Sequence, residues 1–518
     1  MSAAGKQKRW KETFQQMVEN SLRHSIALVE GNPNAPQTFR PHMDSMTSQI
    51  RWGNKLAPEL ATRLMVAAYP WPARWGLTDA WRDHLEQARR GLAPTHPLNR
   101  QSQACLADIF QFSGQPEKVL EIAGALFSDP TVPPEEFALL VTRAGGAWLS
   151  ALASQGKIVE LEQAAGRLWE WLESASAQAN PALQAEARAV VLLHRSILAR
   201  RKGDLPLALE LISRAIAGLE GQPDTDRNSM SEILQSRAIY HWVGANYAAA
   251  LADLEQACGV SASANDVIGL CSAHGNRGLV YWSMSEYDRA EREFLEAIRL
   301  SEQNKLTYLL MKQVGNLGMV YFNRGDLPNA LRYIQREREL AEISNDDDEK
   351  ALAEGNQAAV QIYTDRPQLA LPGLFSSLQK YMDTERFETL VGVLADLSVC
   401  HYRIGELEES ARFAGQALDL AHEKDNPALI LVASRARALS APPAEAVDIL
   451  NHALQLAERL NRKLDVAGCK LFLAHLCPAS ENRIKLWEEA AAILEQIGAA
   501  GWIENKSAGD AILLPLTV

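Results

Sequence analysis

Between Cys271 and Leu418, small and large apolar positions recur every 40 residues. Gly278, Gly318, Ala358 and Ser398 open the pattern, and Tyr281, Tyr321, Gln361 and His401 follow three residues later. Twelve residues after the first set come Ala290, Ala330, Ala370 and Ser410, and four further on Phe294, Ile334, Leu374 and Ala414. Small residues at these offsets let two helices approach closely, while the larger side chain fills the space beside them. A period of about 20 to 50 residues marks a solenoid, in which each unit buries its apolar face only against its neighbours. The pattern therefore predicts an all-α fold: a right-handed superhelical solenoid of roughly ten or eleven helical hairpins. Such an array is usually a binding surface, so function is sought on its concave face.

The frame extends outward with decreasing fidelity. Upstream, Ala238, Ala250, Leu254 and Ala257 mark one unit, and Ser196, Gly203-Asp204-Leu205, Ala208, Ile212 and Ala215 mark another. Gly114 and Gly156 each stand between two apolar stretches, as expected of weaker hairpins. Downstream, Ser434, Ala446, Leu450 and Ala453 continue the array, and a last helix pair is predicted over 466–497. Gly203, Gly325 and Gly405 stand where a helix must end and the chain reverse. Loop breakers fall at Gly221–Pro223, Ser344–Asp348, Asp425–Pro427 and Ala441–Pro443. The expected organisation is a helical extension over 1–50, degenerate hairpins over 51–184, the regular array over 185–500 and a tail over 501–518. The tail segment Ile512–Val518 is the one strand candidate, capping the last groove or disordered.

Composition narrows the class. The chain of 518 residues is 47% hydrophobic and 7% aromatic, as a globular chain is, and carries a net charge of −12. That acidity argues against a nucleic-acid backbone as partner, and the basic run Lys6, Lys8, Arg9, Lys11 reads as a solvated helix face. The six cysteines show no CxxC pairing and read as small core residues of a reducing compartment. Without a signal peptide or an apolar run of about 18 residues, the expectation is a cytoplasmic protein that does not enter membranes.

A search for reaction chemistry finds no HExxH, GxSxG, GxGxxG, phosphate loop or paired-cysteine zinc motif, and predicts no cofactor or metal. Cys400 and His401 are adjacent on a helix, so their side chains diverge by about 100° and form no dyad; His401 reads as a packing residue. His24, His42 and His84 lack ligand spacing. The tryptophans around position 75 suit either a small pocket or a seam between helical layers.

The set Gly278-Tyr281-Tyr287-Ala290-Phe294-Ala297 resembles the tetratricopeptide repeat, as does Gly318-Tyr321-Gly325-Ala330-Ile334. The resemblance is strong over 231–420 and fair over 185–500, and it implies fold more than ligand. Three units carry Gly275-Asn276, Gly315-Asn316 and Gly355-Asn356 in register. Asparagine is a poor mid-helix residue, and two readings are open: each asparagine braces a neighbouring helix, or the three form a ladder gripping an extended peptide main chain. Gly315-Asn316-Leu317-Gly318 is similar to the repeats of kinesin light chains and of Leu-Gly-Asn-type spindle adaptors, whose asparagines contact peptides. Asp396 and Ser236 replace asparagine in the flanking units, which limits the ladder to three rungs. Trp242, Trp282, Phe322 and Tyr402, six residues beyond the rung positions, are candidate apolar pockets or inter-unit packing. Lys312 and Arg403 are candidates for neutralising an acidic peptide, or are solubilising cations.

From Arg51-Trp52 through Trp75-Gly76 and Trp81 to His84-Leu85-Glu86-Gln87-Ala88, the chain resembles the segment joining core to repeats in signal-transduction ATPases with numerous domains. Leu486-Trp487-Glu488-Glu489-Ala490 to Trp502 resembles the end of such arrays. The ATPase phosphate loop is absent. The leading reading is a non-enzymatic scaffold or regulator binding a protein or extended peptide on the concave face of 231–420. The alternative is a stand-alone sensor subunit of a signalling ATPase system, binding a small-molecule or protein effector, with an ATPase or effector as partner.

Overall fold

Close contact at the recurring small residues builds the hairpins seen in the computed structural model of the chain. A Cβ added at Gly278 would lie 2.6 Å from the Phe294 ring, and one at Gly318 would lie 2.9 Å from Ile334. Ala290, Phe294, Ala330 and Ile334 are wholly buried. In the unit where serine takes both small positions, Ser398 and Ser410 are buried and share a 3.1 Å hydrogen bond, which removes the cost of burying two hydroxyls.

The structure describes residues 3–32, 38–69, 71–74, 78–174, 180–220, 227–344, 347–383, 387–478, 481–504, 506–507 and 512–516. The Trp75-Gly76 pair, the breaker at Gly221–Pro223 and tail residues 517–518 lie outside them. Helices Val267–Ser283, Thr307–Arg324, Asp347–Ile362, Phe387–Ile404 and Pro427–Ser440 start 40 residues apart. Each is followed by a partner: Tyr287–Gln303, Leu327–Ser344, Leu371–Asp383, Leu407–Glu423 and Pro443–Arg459. The pairs Pro181–Arg201 with Leu205–Glu220 and Arg227–Val243 with Tyr247–Ser263 precede them, and Lys463–Leu476 with Glu481–Gln496 closes the series. The fold is all-α and tetratricopeptide-like, with no strand among the described residues. Residues 512–516 form neither helix nor strand.

The chain divides into two compact units, Met1–Gly244 with Ala252–Leu270, and Ala245–Leu251 with Cys271–Val518. In the first, one continuous core runs from Val18 to Leu198 and absorbs Trp71, Trp81 and Trp148, so these described tryptophans form a structural seam. Helical residues Pro134–Ser154 are long and apolar enough to cross a membrane, but 67% of that window is buried inside the protein. In the second unit, one apolar cluster unites Tyr287, Ala290 and Phe294 with Leu464, Ala467 and Leu471 of the closing pair and with Ile512 and Leu514. The cysteines are free; Cys105, Cys271, Cys400 and Cys469 are buried. His401 stacks on Phe413 with centroids 5.3 Å apart and pairs with Glu406 at 2.7 Å, while the Cys400 thiol points to the Pro367 carbonyl at 3.2 Å.

Candidate functional site: the inner groove of the second unit

The first helices of successive hairpins lie side by side, and in the second unit Val399, Arg435, Leu439, Gly468 and Phe472 line a groove between them. Arg435 is buried in it at 5% exposure, on an otherwise apolar face of helix Pro427–Ser440. Gly468 makes room for it: a Cβ there would sit 2.4 Å from the guanidinium. A buried guanidinium needs a counter-charge and filled donors. Asp465 supplies the charge at 2.5 Å and is itself bound by Arg462 at 2.7 Å.

The remaining Arg435 donors reach the chain's own main chain. Nη1 donates to the Pro515 carbonyl and Nη2 to the Leu514 carbonyl, each at 3.1 Å. The Tyr363 hydroxyl donates to the same Leu514 carbonyl at 3.3 Å and is hydrogen-bonded by the Leu516 backbone. Burial first, and then the negative charge of Asp396, push the Tyr363 phenol well above its ordinary range. Leu514 is 3% exposed, and Leu516 packs against Ala395, Val432 and Ala436. The cavity left is about 20 Å³, room for about one water. Further along, the Trp502 indole donates to the Asn323 carbonyl at 2.9 Å and packs edge-on to Phe322 and Tyr363.

Asp396 stands where the asparagine register would place its next rung. It is half-buried at its surface, and among the described residues its carboxyl has no hydrogen bond or ion pair. Desolvation alone pushes it up from the ordinary 3.8 to about 8.

None of the sequence-predicted residues is among those that line this groove. Trp242 falls in the first unit and the others in the second. Phe322 is buried at 2% exposure in the cluster holding Ala330, Ile334 and Trp502. Trp282 is half-buried against the cluster of Tyr287 and Phe294, and Tyr402 packs on the core of the later repeats. Arg403 donates to the Ile362 carbonyl, and Lys312 lies 4.4 Å from the Tyr308 ring. Asn356 donates to both oxygens of Glu337 at 3.1 Å, which is a brace between adjacent helices. Asn276 and Asn316 are half-buried, and Asn316 has no side-chain hydrogen bond among the described residues. The glycines before them serve packing: a Cβ at Gly275 would lie 2.5 Å from Gln313, and one at Gly315 would lie 2.1 Å from Glu337.

Sequence reasoning missed Arg435, Tyr363, Asp465 and Gly468. The available signal was an arginine inside the apolar run Leu429–Leu439, but Arg437, two residues on, pairs near the surface with Glu445 and gives the same local signal. Among the described residues, no group of three His, Cys, Asp or Glu side chains is placed to hold a metal ion.

Residues 272–304 match the tetratricopeptide repeat model. No curated protein sequence matches the chain. Among solved structures, the chain is similar to the apo quorum sensor NprR of B. thuringiensis, at 13% identity and a TM-score of 0.47, covering 70% of this chain and 97% of that one. It is similar to a Rap protein complexed with competence and sporulation factor, at 12% identity and a TM-score of 0.46, covering 77% and 98%. It is also similar to a signal-transduction ATPase with a tetratricopeptide sensor from Pyrococcus horikoshii, at 12% identity and a TM-score of 0.42, covering 82% and 74%.

Proposed function

We propose that the chain is a non-enzymatic scaffold or regulator that binds an extended peptide or protein segment on the inner face of its helical array. One observation carries the reading: Arg435 and Tyr363 hold a segment without helix or strand through its main-chain carbonyls at residues 514 and 515. Main-chain recognition of this kind tolerates varied side chains and suits a reader of peptides. Asn276, Asn316, Asn356, Trp282, Phe322, Lys312, Tyr402 and Arg403 belong to the proposed surface of the second unit; Trp242 is a proposed contact residue of the first unit, taken by itself. Asn316, without a side-chain hydrogen bond among the described residues, is the rung most open to a ligand.

The test selects peptides on the full chain from a display library and measures their affinity for the variant with Asn276, Asn316 and Asn356 all replaced by Ala. Each lost hydrogen bond is worth about 0.5–1.5 kcal/mol, so roughly 1.5–4.5 kcal/mol if the terms add, or about ten- to a thousandfold in affinity. Unchanged affinity with a lowered melting temperature would assign the asparagines to bracing alone.

A small-molecule effector is the second reading, favoured by a cleft of about 530 Å³ in the first unit, lined by Trp169, Gln184, Arg188 and Arg214. Its volume is that of a small-ligand site, and the buried Gln184 Oε1 lining it has no hydrogen bond among the described residues. Small carboxylates or phosphates that raise the melting temperature of the native chain, but not of Arg214→Ala, would support it.

A further inference from the structure

The segment 512–516 is better described as a ligand than as a structural element. It has no helix or strand, and among the described residues its hydrogen bonds are main-chain ones to Arg435 and Tyr363. Its side chains, Ile-Leu-Leu-Pro-Leu, are uncharged and fill an apolar groove down to the small residual cavity. One group beside that groove is left unserved: Asp396, one helical turn before the groove-lining Val399 on helix Phe387–Ile404. Asp396 lies close enough to Tyr363 to act on it electrostatically, on the same helix as Ala395 and Val399, which the segment covers. The two arginines that act on Tyr363 are engaged elsewhere: Arg403 donates to the Ile362 carbonyl, and Arg435 is held by Asp465 and the segment. Nothing in residues 512–516 can supply a cation.

A tethered segment competes at an effective concentration of about millimolar, so a peptide from another molecule displaces it only by making better contacts. A basic side chain placed against Asp396 is such a contact, since its charge favours the carboxylate that desolvation otherwise disfavours and turns an unpaired carboxyl into an ion pair. Resting on the peptide-binding reading above, we propose that residues 512–516 are a displaceable resident of the inner groove. The partner they stand in for is an extended apolar peptide of another protein that carries one basic residue to meet Asp396.

The test uses the full chain and synthetic peptides with the sequence of residues 507–518, with Lys scanned through the five positions 512–516. Binding is titrated, and hydrogen exchange is followed at the amides of 512–514 and 516. The expected result is one Lys-bearing peptide that binds at least tenfold more tightly than the parent and raises exchange in the chain's own 512–516. Asp396→Asn should abolish that tenfold preference while leaving the parent peptide's affinity unchanged. Leu516→Ser, which loosens the resident, should tighten binding of every peptide about tenfold or more. If that variant fails to fold, the comparison of the native chain with Asp396→Asn decides alone. Unchanged protection of 512–516 at millimolar peptide, or a Lys preference that survives Asp396→Asn, overturns the proposal. Library-selected peptides that bind while 512–516 stays protected would remove this inference and leave the broader peptide-binding reading standing.

Discussion

Glu337, Gln313, Arg435 and Asp396 are all polar groups carried into the interior of a repeat, and each is accommodated differently. Glu337, at 2% exposure, lies against Gly315 and is hydrogen-bonded by Asn356. Gly315→Ala would bring a methyl group to within 2.1 Å of that carboxylate. Glu337 must then swing off its Asn356 hydrogen bonds, a cost of about 1–3 kcal/mol, offset in part by roughly 1 kcal/mol from replacing a mid-helix glycine. Combining Gly315→Ala with Glu337→Ala should cost less than the sum of the two, which a double-mutant cycle in urea checks. Asp396 is accommodated by keeping its proton. Below the ordinary 3.8 both folded and unfolded chains are protonated there; between 3.8 and about 8 only the folded chain retains the proton. Its contribution to stability therefore falls as pH rises through that window, by at most about 1.4 kcal/mol for each pH unit, and levels off above it. Asp396→Asn should match the native chain near pH 4, exceed it in stability at pH 8, and show the flatter profile in urea melts between the two.

At the scale of elements, one turn geometry joins the hairpins. Ala245, Ser285, Gly325 and Gly405 occupy equivalent positions at the end of a first helix, all with φ between 57° and 88°. Glycine adopts that left-handed backbone freely, whereas a side chain there costs about 1–2 kcal/mol. Ala245→Gly removes that strain and adds back roughly 0.5–1 kcal/mol of unfolded-chain entropy. The expected net gain is about 0.5 kcal/mol, visible as a small rise in the urea midpoint. The glycine turns at 203, 325 and 405 were legible in the sequence because glycine advertises the backbone state. The equivalent turns at Ala245 and Ser285 were not, because the neighbouring hairpins impose the same geometry on residues that do not ask for it. Helix boundaries at Pro427 and Pro443 were legible for a similar local reason: proline favours the first helical turn, and Asn426 caps the Pro427 helix through the Ala428 and Leu429 amides.

For the whole molecule, burial of thiols offers a readout of packing in both units. Burial pushes Cys105, Cys271 and Cys400 up to about 11 and Cys469 up to about 12, whereas Cys258 and Cys477 are only half-buried. Because the thiolate is the reactive form, Cys258 and Cys477 of the native chain should alkylate at pH 8 while the four buried thiols react only after denaturation. Mass spectrometry of labelled peptides checks this, and fast labelling of Cys400 or Cys469 would show that the groove opens in solution.

The sequence by itself determined the repeat. The spacing of Gly278, Ala290 and Phe294, echoed at Gly318, Ala330 and Ile334, encodes local helix pairing, and contacts within 40 residues need no knowledge of the rest of the chain. It also marked Gly275, Gly315 and Gly355 as special without distinguishing packing from ligand contact, since both demand a small residue beside a polar one. Only the tertiary structure decided what faces the groove. Arg435 reaches Leu514 and Pro515 about 80 residues away in sequence, and Trp502 reaches Asn323 across 179. No periodicity links such positions, because the segment after the last hairpin belongs to no repeat, and its path is set by the apolar surface that the stacked helices create.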